Sequence, residues 1–199
     1  FKGINLKSFL PSKEELDKTQ SGRALSKQLK SFFETGDFND LLDDLSRMTE
    51  NFQNNPQDFN DLTKGFKEDL KLDTNVSNWE SPIEKLDSYL PQTPVGKSFS
   101  ESLIEDVKRH HSEPQFSDYY LSAYNQLGLY GFRPEKLSNK NRFNNTTEDG
   151  FHSLYGAHSD FFITSDKIMY YRSEALFETF EVTSEIFKTF KINDHSTLL

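Results

Sequence analysis

The segment Thr146-Thr147-Glu148-Asp149-Gly150-Phe151-His152, running through Ala157 into Ser159-Asp160-Phe161-Phe162-Ile163-Thr164-Ser165-Asp166-Lys167, changes its structural period partway along. Its first part predicts a helix. Thr146 or Thr147 supplies a cap, and Glu148 and Asp149 suit the exposed amides and positive dipole end of a first turn. Phe161-Phe162-Ile163-Thr164 is a short β-prone run that predicts a buried strand. Beyond it, Ile168, Tyr171, Ala175 and Phe180 are spaced for one helical face over 167–180, and 182–187 reads as a last strand. Helix, strand, helix, strand in that order is the pattern of a parallel sheet covered by helices. The fold class is therefore α/β with an excess of helix.

Upstream, helices dominate. Apolar residues return at three and four spacing in Leu25, Leu29, Phe32 and Phe33, and again in Leu41, Leu42, Leu45 and Met48. Ser12 with Glu15 forms a capping box, and breaks fall at Gly36-Asp37 and Asn54-Asn55-Pro56. A helix with Ile83, Leu86 and Leu90 lies between Pro82 and Pro91. Another covers 98–110, with Phe99, Leu103, Ile104 and Val107 inward, and Tyr120, Ala123, Tyr124 and Leu127 line the next. Residues 1–199 are read as one domain, with 1–115 mostly helical and 116–199 carrying the α/β pattern.

Composition narrows the function classes. The chain has 199 residues with 19 Phe and 8 Tyr, enough for a core, and no apolar run long enough to span a bilayer. It contains no Cys, which excludes a disulfide scaffold, thiolate-bound zinc and a thiol nucleophile and makes the cytosol the default expectation. Net charge is −9. A broad basic face for duplex nucleic acid is therefore excluded, while a local contact is not. Acidity concentrates in 34–73, with eleven acids against four bases, whereas Arg133, Lys136, Lys140 and Arg142 face only Glu135 in 131–145. The first residue is Phe1, and we expect that a strand of the sheet precedes it.

Ligands of open α/β sheets gather beyond the carboxyl ends of the strands, which points to Ser165-Asp166. A helix from Asp149 to His158 travels roughly 15 Å and a strand from Phe161 to Asp166 returns nearly as far. With a short connection the two run antiparallel, and Asp149 and Asp166 meet at one end. Two carboxylates with no Cys and no His cluster suit a hard cation such as Mg²⁺ or Mn²⁺. The same two residues have ordinary structural roles open to them, a dipole-favoured first-turn acid and a turn former after a strand. His110 and His111, adjacent on a helix, point apart and read as surface residues.

The residues from Glu148 to Lys167, followed by a helix and short strand through Phe187, resemble the C-terminal motif of PIN-like nuclease domains. The likeness covers the C-terminal part well and the helical first half in general character. It implies a three-layer α/β/α fold with a short parallel sheet and additional helices, and Mg²⁺- or Mn²⁺-dependent hydrolysis of phosphodiester bonds, of RNA sooner than DNA. By the same resemblance Asp149 and Asp166 bind the ion and are catalytic, Thr164 contacts it or orients Asp166, and His152 and Asp160 lie beside the site. The family's first acid corresponds to Asp73, within Asp73-Thr74-Asn75, or to a residue before Phe1; its middle acid corresponds to Glu101 or Glu105. Lys167, Arg142 and Lys140 are candidate contacts to the phosphate backbone. The rival expectation is a relative without activity that serves as a protein-interaction module through the acidic helices. A neighbouring inhibitor protein is a further candidate partner, and no membrane is expected.

Overall fold

A computed structural model describes residues 12–72, 76–135, 137–138 and 143–189; Asp73, Lys140 and Arg142 lie outside them. The chain divides into two compact units, one made from 1–74 with 136–146 and the other from 75–135 with 147–199. The division falls near residue 75, so the helices of 82–129 share a unit with the α/β pattern.

The first unit contains α1 (Lys13–Leu16), α2 (Gln20–Gln28), α3 (Lys30–Thr35), α4 (Phe38–Asn54) and α5 (Pro56–Asp69). Their ends follow the sequence signals. Ser12 and Glu15 complete the capping box, Gly36 closes α3 at a φ of 77°, and Pro56 sits in the first turn of α5, where a missing N–H costs nothing. Leu29, Phe32 and Phe52 are buried. On α4 the expected apolar face is covered only in part: Leu41 and Met48 are half-buried, Leu42 and Leu45 are exposed, and Asp44 is buried. The reason is local. Asp44 accepts from the backbone N–H of Phe32 at 2.8 Å, satisfying an amide in the first turn of α3, and also pairs with Arg47.

The second unit contains a 3-10 turn (Val76–Asn78), α6 (Pro82–Tyr89), α7 (Phe99–His110), α8 (Phe116–Leu129), α9 (Phe143–Ala157, from Thr147 onward), β1 (Phe161–Thr164), α10 (Lys167–Thr179) and β2 (Glu185–Lys188). The strands pair in parallel, Phe161 against Glu185 and Thr164 against Lys188, as a two-stranded sheet. This is the expected order and direction. Two boundaries move: β2 begins at Glu185, and α9 begins at Phe143, so Asp149 lies in the interior of the helix and not in its first turn.

The core of this unit is built on α8. Tyr120, Ala123, Tyr124 and Leu127 are fully buried, with Phe99, Leu103 and Val107 of α7, while Ile104 is exposed. A buried hydroxyl chain fixes the helices that matter below: Tyr120 Oη lies 2.6 Å from Ser153 Oγ, which lies 2.5 Å from Ser173 Oγ. It links α8, α9 and α10, and burial pushes the Tyr120 phenol up to about 12. Between α9 and β1 the approach is close enough to require glycine, since a Cβ on Gly156 would lie 2.5 Å from the Phe162 ring. Among the described residues no helix is long and apolar enough to cross a membrane.

Candidate functional site

Asp166 follows β1 and caps α10. Its Oδ1 accepts from the Met169 N–H at 2.8 Å, and its own N–H donates to Thr164 Oγ1 at 3.1 Å. Thr164, buried at the end of β1, thus orients the backbone of Asp166, while its hydroxyl also reaches Met169 Sδ at 3.6 Å. One carboxylate oxygen of Asp166 serves the cap.

Asp149 is half-buried on α9, one turn before Ser153 in the hydroxyl chain. Burial pushes its carboxyl up to about 6, the charges of Glu135 and Asp166 add to the rise, and His152 and Arg172 oppose it. Asp149 and Asp166, seventeen positions apart in the sequence, are thereby brought within each other's field. Exposed His152 lies one helical turn from Asp149.

Glu135 was hidden from sequence reasoning. It is the lone acid of the basic 131–145 segment, which is the one signal that could have singled it out. Arg172, 2% exposed, pairs with it at 3.1 Å and donates a second hydrogen bond to the Arg133 carbonyl at 2.9 Å. The guanidinium lies 5.1 Å from the Tyr124 ring centre. It packs on Gly128, where a Cβ would meet its Nη2 at 2.5 Å. Glu135 thus pairs with the guanidinium, while Asp149 feels the charges of Glu135 and Asp166 against those of His152 and Arg172.

The other expected residues are placed differently. Glu101 completes the capping box of α7 with Ser98, and Glu105 pairs with Lys97. Neither is among the charges acting on Asp149. Asp160 and Lys167 are exposed; the Asp160 carbonyl accepts from the Glu185 N–H and so extends the strand ladder. Exposed His110 and His111 each face an acid of their own, Asp106 and Asp118. Among the described residues no group of three or more His, Asp or Glu side chains is arranged to hold a metal ion. Mg²⁺ and Mn²⁺ sites commonly use only one or two carboxylates, keep several waters and complete their shell with substrate phosphate. None of the protein-family models, curated proteins or solved structures compared with this chain matches it.

Proposed function

We propose that this protein is a Mg²⁺- or Mn²⁺-dependent phosphodiesterase acting on RNA, with a PIN-like α/β architecture and Asp149 and Asp166 as its catalytic, metal-holding acids. The observation that carries this reading is that Asp149, inside α9, and Asp166, where β1 ends and α10 begins, are close enough for the charge of Asp166 to add to the burial that raises the Asp149 carboxyl to about 6. Neighbouring carboxylate oxygens of this kind gain when a divalent cation replaces the proton. When bound, the cation supplies a lowered water pKa and charge neutralisation on the scissile phosphate. Asp166 is held for this role by Thr164 and by the cap of α10, and Asp149 by the packing of α9 on α8. Glu135 contributes negative potential through its charge, moderated by Arg172. His152 and Lys167, both exposed, would meet phosphate oxygens in this reading.

The test is cleavage of labelled single-stranded RNA with Mn²⁺, alongside Mn²⁺ binding followed by electron paramagnetic resonance, for the wild type, Asp149→Asn and Asp166→Asn. Loss of both activity and ion binding in either variant is expected. Unchanged behaviour of both variants would overturn the assignment.

A second reading, an interaction module without activity, is favoured by one observation. The sheet face turned away from Phe162 leaves Phe161, Ile163 and Phe187 between 45% and 63% exposed, with the Phe161 and Phe187 rings 6.1 Å apart. Contiguous apolar exposure of this kind commonly marks a contact surface. Absence of cleavage together with a Phe161→Ser-sensitive association would support it.

A further inference from the structure

We infer that a second pocket of the same unit, lined by Trp79, Arg133, Tyr171, Glu174 and Glu178, is a nucleobase subsite that selects guanine. Its role as a substrate subsite rests on the phosphodiesterase reading; its ability to bind the base does not. The pocket has a volume of about 280 Å³, near the lower end for small-ligand sites and sufficient for one flat heterocycle.

Three features give the pocket its chemistry. The first is a fixed cation. The Arg133 guanidinium lies 4.1 Å from the Tyr171 ring centre, and its Nε is buried without a hydrogen-bond partner. Arg133 has a φ of 45°, a left-handed conformation unusual for a residue with a Cβ, and its carbonyl is held by Arg172. Such strain persists where the surroundings hold it, and it concentrates at ligand sites. The second is an anionic wall on α10. Glu174 is engaged by the Tyr170 hydroxyl at 2.8 Å, and Glu178 lies one turn further on at the pocket's edge. The third is a flat apolar surface, the half-buried indole of Trp79.

A simple anion is disfavoured by the carboxylates of Glu174, Glu178 and Glu80, which also lines the pocket, and a simple cation by Arg133. The ligand that satisfies both walls is neutral and planar, with an acceptor edge and a donor edge. Guanine has that combination: O6 and N7 accept from an arginine fork, while N1–H and the N2 amine donate to an acceptor-only carboxylate. Unpaired bases of single-stranded RNA are typically bound by such stacking and edge contacts. The pocket also has a structural link to the acids. Arg172 joins the Arg133 backbone to Glu135, whose charge acts on Asp149, and Tyr171 lies about 7.5 Å along α10 from Asp166, a span of one or two nucleotides.

Trp79 is the chain's single tryptophan, so its fluorescence reports directly on the pocket. The full chain, without added metal, is titrated with guanosine, inosine, adenosine and cytidine. Saturable quenching by guanosine is expected, weaker binding by inosine, which lacks the N2 amine, and none by adenosine or cytidine. Glu178→Gln and Arg133→Lys should each weaken guanosine binding about tenfold. Glu174→Gln provides a second exposed variant should either of these fold poorly. No saturable response to guanosine, equal responses to all four nucleosides, or unchanged binding in the properly folded variants would overturn the proposal. Asp149→Asn should bind guanosine as the wild type does, so failure of the cleavage reading and failure of the subsite are read separately.

Discussion

Replacing Arg172 by Met removes the cation from a pair that is almost wholly enclosed, with side-chain exposures of 2% for Arg172 and 5% for Glu135. The volume stays largely filled, but Glu135 loses the guanidinium it pairs with, and the Arg133 carbonyl loses its donor. Breaking one side of such a pair costs about 3–5 kcal/mol, a large part of the ~5–15 kcal/mol that holds a typical domain folded. Urea unfolding followed by Trp79 fluorescence reads the second unit specifically, and the midpoint should fall without a change in slope. The double variant Arg172→Met with Glu135→Gln removes the enclosed carboxylate charge and should recover about 2 kcal/mol of the loss. The reasoning fails if Arg172→Met costs less than about 1 kcal/mol, or if Glu135→Gln gives no recovery. Arg172 also opposes the upward shift of Asp149, so its removal should raise the Asp149 titration midpoint, measured by carboxyl NMR.

Three further outcomes are expected. Asp149 has a folded value of about 6, above its unfolded one, so the native state binds more protons between roughly pH 4 and 6 and stability falls as pH rises through that window. Asp149→Asn should remove this slope and stabilise the protein at pH 7.5 by about 1 kcal/mol after allowance for solvent screening, measured by denaturation at two pH values. For Asp69 of α5, burial pushes the carboxyl up, but hydrogen bonds from the Ser21 hydroxyl and the Gln20 and Ser21 amides outweigh it and the value is lowered. Its stabilising contribution is therefore present above the unfolded value and lost as pH falls through the folded one. Asp69→Asn should cost about 1–3 kcal/mol and speed exchange of the Gln20 and Ser21 amide protons. Gly156→Ala drives a methyl into the Phe162 ring and should cost about 1–3 kcal/mol, seen as a lowered thermal midpoint and partly restored by Phe162→Leu.

Much of the second unit was legible because its signals are local. The period change at Phe161, the spacing of Tyr120, Ala123, Tyr124 and Leu127, and the Asp after the strand each depend on neighbours a few positions apart. The parallel pairing of β1 and β2 followed from the helix between them. Where a distant partner decided the outcome, spacing misled: Asp44, not Leu42 or Leu45, turned inward on α4 because the Phe32 amide needed an acceptor. The extra turns at the start of α9 likewise moved Asp149 away from the dipole position that its neighbours suggested.

By itself, then, the sequence determined the succession of elements and the absence of thiol chemistry, and it singled out Asp149 and Asp166 as candidates. Tertiary structure alone decided how Asp149 is charged. Glu135 and Arg172 are 37 residues apart and meet only when α8, α9 and α10 pack together, with Gly128 leaving room for the guanidinium. Ionisation depends on burial and on every charge nearby in space, and neither quantity is written in the spacing of residues along a chain.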